Sequence, residues 1–261
     1  MKHSTLMVGS LLALFLVGCG PGPGPVAAKP QPLAVASSGA LSVELLTMGP
    51  LVVGQNRVFY KVTKDGQAVP HAHLAQRPVM KMAMMQHACP LVNPDHAPST
   101  DGLWEGLLVF TMASSDLDSW TLEVDVALEE AGASETLDFG QLSVGDSAMK
   151  KVVTRDAKKI VLTLGYPTAP HVGSNDFVIT AHQAKDMMMM EYVTVDDLVF
   201  TVTPEMPSMG HGAAGSLNPV RGEDGLYRGS VVFSMAGDWV VHLGVAANDA
   251  ELGTFDFALD L

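Results

Sequence analysis

Sulfur and imidazole donors are spread unevenly along this chain. Of its 16 methionines, Met1 and Met7 lie in the first stretch, and ten of the others fall in three short clusters. One cluster is EMPSMGHG, which holds Met206, Met209 and His211, with Pro207 and Gly210 predicting a loop. A second is VMKMAMMQHAC, where Met82, Met85 and His87 keep the same spacing and Met80, Met84 and Cys89 are added. Each stretch carries the pattern MxxMxH. About 25 residues later each is followed by another methionine, Met112 or Met235, at the end of the strand expected after a DGL turn. The third cluster is the run Met187 to Met190.

Thioether, imidazole and thiolate donors together suit Cu(I), whereas hard cations prefer carboxylates and carbonyls. The expected copper ligands are Met206, Met209, His211 and Met235 in one region, and Met82, Met85, His87, Cys89 and Met112 in the other. Such binding should weaken below about pH 6, because an imidazolium cannot ligate. The competing reading is that methionine fills cores. Met80, Met82 and Met84 at period two would then be the inward face of a strand, and Met112 and Met235 would alternate inward with Phe110 and Phe233. Four consecutive methionines cannot share one strand face, so copper capture, a partner-binding patch and sequence drift all stay open for Met187 to Met190. His71 and His73 share a strand face as a second site or as solvated side chains, and His96 and His171 carry no signal.

The elements that must position these groups repeat along the chain. VGQN at 53 to 56, DGLWEGLLVFTM at 101 to 112, Trp120 and TLDFGQLSV at 136 to 144 recur in order as VGSN at 172 to 175, DGLYRGSVVFSM at 224 to 235, Trp239 and TFDFALDL at 254 to 261. Short alternating runs separated by Gly, Asp, Asn and Pro predict an all-β chain of two tandem immunoglobulin-like β-sandwiches, over 41–144 and 157–261, with a polar connector between them. On the strand after Trp239, period two puts Trp239, Val241, Leu243 and Val245 on one face and Val240, His242 and Gly244 on the other. ALEEAGAS at 127 to 134 has the composition of a helical turn.

Ahead of these, Met1, Lys2 and His3 precede an apolar run from Leu6 to Val17, which is short for a membrane span and long enough for a signal-peptide core over 1–18. Leu16, Val17, Gly18 and Cys19 resemble the lipobox of bacterial lipoproteins, which implies a lipidated Cys19 exported to the periplasmic face of the cell envelope. Gly20 after that cysteine implies the outer membrane. Residues 19–40, rich in Pro, Gly and Ala, read as a tether. With Cys19 lipidated, Cys89 has no partner for a disulfide and is either buried and inert or held by a metal. A formal charge of −13 argues against nucleic acid and against a polybasic contact with acidic lipid. No GxSxG, HExxH or phosphate loop occurs, so the chain is read as not an enzyme.

VTPEMPSMGHG followed by DGLYRGSVVFSMAGDW resembles the YtkA-like family, related to FixH-like proteins, over about 195 to 245. The likeness is weaker over 72 to 126, where MASSDLDSW replaces MAGDW. The resemblance implies an exported or membrane-anchored immunoglobulin-like sandwich linked to copper handling and cytochrome oxidase assembly. It places the family's methionine and histidine motif on Met206, Met209, His211 and Met235. Copper storage, tolerance or delivery to a cuproenzyme is the expected function. The alternative is a structural or interaction lipoprotein that docks another envelope protein without metal.

Overall fold

The computed structural model describes residues 29–95, 97–129, 134–186 and 188–261. The expected signal peptide, Cys19, His96, Met187 and residues 130–133 of the stretch with helical-turn composition lie outside the described residues, whereas Ala127, Leu128 and Ser134 of that stretch lie in strands. Among the described residues the fold is all-β, with 22 strands and no helix. The first half runs β1 (Gln31–Ser38), β2 (Leu41–Thr47), β3 (Leu51–Val52), β4 (Gly54–Lys64), β5 (Gln67–Ala68) and β6 (Ala72–Lys81). It continues through β7 (Gln86–Ala88), β8 (Leu91–Val92), β9 (Trp104–Phe110), β10 (Ser119–Leu128), β11 (Ser134–Leu142) and β12 (Val144–Gly145). The second half runs β13 (Lys150–Arg155), β14 (Lys158–Gly165), β15 (Gly173–Ala184), β16 (Tyr192–Thr194) and β17 (Leu198–Met206). Then come β18 (His211–Gly212), β19 (Leu217–Arg221), β20 (Tyr227–Phe233), β21 (Asp238–Ala247) and β22 (Ala250–Asp260).

Each half is a sandwich of two sheets. In the first, β1-β2-β4-β9-β8, with β5 on β4, faces β11-β10-β6-β7; in the second, β13-β14-β15-β20-β19, with β16 on β15, faces β22-β21-β17-β18. The strand order is the same in both. Alternation is the physical cause. Along β10, Trp120, Leu122, Val124 and Val126 point inward and are buried, and along β21 Trp239, Val241, Leu243 and Val245 do the same. The repeated asparagines close equivalent loops. Asn56 bonds the backbone of Val52 and Gly54, and Asn175 that of His171 and Gly173.

The sandwiches begin earlier than the composition suggests. β1 lies inside the stretch read as tether, and β13 inside the stretch read as connector. Each is an edge strand that buries one residue, Ala36 or Val153, so backbone pairing with β2 or β14 forms it and no apolar alternation announces it.

The halves pack on each other. Leu107 and Val109 on β9 cluster with Leu226, and Val92 and Val178 pack against them. Gln55 Nε2 donates to the carbonyls of Thr163 and Val178 at 3.0 and 2.9 Å, and Arg57 Nη1 to that of Pro167 at 3.1 Å.

Candidate functional site

Strand β17 carries Leu198, Phe200, Val202, Pro204 and Met206 inward and ends where Pro207 follows. Met209 N and Gly210 N both donate to Met206 O, at 3.1 and 2.9 Å, and Gly210 takes φ +63, a conformation cheap only for glycine. This tight turn brings His211 directly opposite Met206 in the β17–β18 ladder. Directly opposed residues hold their Cβ atoms about 5 Å apart, so thioether and imidazole are neighbours. The turn is pinned to the next hairpin because Ser208, through N and Oγ, donates to the Asp238 carboxylate, which that hydrogen bond holds below its ordinary pKa.

The imidazole of His211 stands edge-on to Trp239, with centroids 6.2 Å apart, and its Nδ1 lies 3.1 Å from Gly212 O. A carbonyl only accepts, so Nδ1 carries the hydrogen and Nε2 keeps its lone pair. Trp239 in turn donates from Nε1 to Met235 O at 2.9 Å, which holds the last methionine near the same rim. Met206 is buried against Gly237: a Cβ there would fall 2.1 Å from Met206 Cε. Met209 is 60% exposed and Met235 41%.

The same arrangement recurs in the first half. Met80 pairs with His87 across β6–β7, His87 stands edge-on to Trp120 at 5.4 Å, and Trp120 Nε1 donates to Met112 O at 2.9 Å. His87 Nδ1 bonds Ala88 O at 2.9 Å, so Nε2 keeps its lone pair here too. That Nε2 is buried and has no hydrogen-bond partner. A buried nitrogen lone pair without a donor costs free energy, which a metal ion would recover.

Several sequence expectations need correction. The shared MxxMxH spacing does not align the two regions. Met80, not Met82, is the counterpart of Met206, because the β6–β7 ladder runs one pair further, Lys81 opposite Gln86, and leaves Met82, Met84 and Met85 in its turn. Met82 is half-buried against the first core, whereas Met84 and Met85 are exposed. Cys89 is buried in that core, and burial pushes its thiol pKa well up, so it is a protonated core sulfur rather than a ready thiolate ligand. Met112 and Met235 are not core residues: β9 and β20 stop at Phe110 and Phe233, and both methionines are exposed beyond them.

Sequence reasoning missed His182. It shares the β15 face with Val178, away from the core of its own sandwich, and its buried Nδ1 has no partner. Burial lowers its pKa to about 4 despite nearby Asp196. Among the described residues no group of three or more His, Cys, Asp or Glu is arranged to hold a metal.

Residues 154–244 match the model of the YtkA-like family. No curated protein matches the chain. Solved structures give loose likenesses. A DUF4785 family protein from Legionella pneumophila subsp. pneumophila str. Philadelphia 1 is 10% identical at TM-score 0.29, over 85% of this chain and 56% of that one, so this chain spans little more than half its length. Domains 5–6 of the S-layer protein SbsC are 9% identical at TM-score 0.28, over 88% and 98%. The D0–D1 domain of intimin is 13% identical at TM-score 0.22, over 78% and 89%.

Proposed function

We propose that this chain is a non-enzymatic lipoprotein of the cell envelope, lipidated at Cys19, that binds Cu(I) for storage, tolerance or delivery to a respiratory oxidase. In this reading both halves are YtkA-like sandwiches, with a FixH-like relation, and the metal sits at the Met/His rim of each. One observation carries the proposal: a backbone carbonyl holds Nδ1 of His211, and of His87, so that Nε2 faces its surroundings as a lone pair beside a cross-strand methionine. Imidazole with thioethers is a soft, neutral donor set, which favours Cu(I) over Zn(II), whose structural sites use thiolate and imidazole in a closed tetrahedron. Met209 and Met235 stand in solvent, so the second rim is open enough to release its metal.

The test is anaerobic Cu(I) titration of the full chain against a competing chelator, comparing wild type with Met209→Leu combined with His211→Ala. The proposal requires the variant to bind at least about tenfold more weakly at one site. Equal affinities refute it and leave an interaction protein without metal. Cys19→Ser should release the chain from membranes, and an unchanged membrane fraction refutes the anchor.

A further inference from the structure

The methionine run near 190 belongs to neither rim, and the tertiary structure gives it neighbours. Five methionines, Met82, Met84 and Met85 from the first half and Met188 and Met190 from the second, line one open cleft of about 500 Å³. Ala83 and Gln86 complete its wall, so no carboxylate or imidazole lines it. The two loops are joined by backbone, because Ala88 N donates to Met189 O at 3.0 Å. Met189 adopts φ +53, a left-handed conformation that is unfavourable for a side-chain-bearing residue. The second loop is also closed at its base, where Lys185 N donates to Glu191 O at 2.9 Å and the two side chains form an ion pair.

Clustered thioethers in water are an unusual feature to maintain: Met84 is 95% exposed and Met188 66%. They gain nothing as core filler there. As ligands they are soft, neutral and flexible enough to converge on one ion.

We infer that this cleft is an all-thioether site for a soft monovalent metal ion, Cu(I) or its analogue Ag(I), with ligands supplied by both halves. It shares only the choice of metal with the function proposed above and uses none of the rim ligands. The lining side chains include no carboxylate, imidazole or thiolate, the groups on which Zn(II) and Ca(II) sites are usually built, and their one polar member is the neutral Gln86 amide, so the set favours a soft ion. Because Met82, Met84 and Met85 are separated in the chain from Met188 and Met190, a bound ion ties one half to the other.

The experiment uses the full chain with 13C-labelled methionine methyl groups, titrated with silver nitrate in chloride-free buffer. The methyl signals of Met84, Met85, Met188 and Met190 should shift together along one common saturation curve, whatever silver the rims take up. Met188→Leu combined with Met190→Leu should weaken the response of Met84 and Met85 at least tenfold while leaving the melting temperature unchanged, since exposed Met-to-Leu changes keep volume. A titration unchanged by those substitutions, shifts confined to one loop, or no shift in the cleft overturns the inference. Signals from Met206, Met209 and Met235 report the rim separately. Silence there with a response in the cleft refutes the rim reading alone, and the reverse refutes the cleft alone.

Discussion

Met206 sits directly across the β17–β18 ladder from His211, and Met80 takes the same position opposite His87 although that ladder continues by one more pair, Lys81 with Gln86. Each histidine lies edge-on to a buried tryptophan that donates to the backbone of a further methionine. Position in the ladder, not spacing along the chain, therefore defines which groups meet.

At the second rim, stability and metal affinity should separate. Met209 and Met235 are exposed, so Met209→Leu and Met235→Leu should each change stability by no more than about 0.5 kcal/mol. Each should nonetheless weaken Cu(I) binding. Chelator competition and urea melts on the same samples check both halves of this expectation.

Gly237 lets Met206 pack. It has φ +144, and a Cβ would overlap the Met206 methyl. Gly237→Ala should cost about 2 to 4 kcal/mol, combining overpacking with backbone strain. Met206→Ala should cost less in the Gly237→Ala background than in the wild type in denaturant melts, because there it also removes the clash.

Two histidines should give opposite pH responses. His182 has a folded pKa of about 4, lowered by burial, against 6.5 unfolded, so the unfolded state binds protons first. Its contribution is complete above about pH 6.5 and is lost as pH falls toward 4, by at most about 3 kcal/mol. His182→Gln should flatten that acid slope in melts between pH 4 and 7. His242 is the reverse: bonds to Asp256 at 2.7 Å and to Glu205 at 3.0 Å raise its pKa. Its contribution is complete below the ordinary histidine value and lost as pH rises through the raised one. The stability gap between wild type and His242→Gln should therefore be widest near pH 5 to 6 and narrow in alkali.

The β13–β14 hairpin turns through Asp156 and Ala157, at φ +51 and +60. Alanine pays about 1 to 2 kcal/mol there, and glycine's larger unfolded-state freedom offsets about 0.4 to 1 of it. Ala157→Gly should raise stability by up to about 1.5 kcal/mol, measured by thermal melts at neutral pH.

The all-β character, the inward Trp120 and Trp239 and the repeated landmarks are legible in the sequence, because alternation at period two is a local property that burial on one face imposes residue by residue. The donor chemistry is legible for the same reason: residue type alone makes a thioether soft and an imidazole a ligand. Which donors meet is not local. The MxxMxH spacing misassigned Met82 because the β6–β7 ladder runs one pair further than β17–β18, to Lys81 with Gln86, and so sets Met80 opposite His87. β1 and β13 were hidden because an edge strand held by backbone hydrogen bonds needs no apolar pattern. Cys89 and His182 were decided by burial, and the convergence of Met84 and Met188 on one cleft by the approach of two loops that lie far apart in the chain. Those outcomes depend on contacts between distant segments, which only the folded chain brings together.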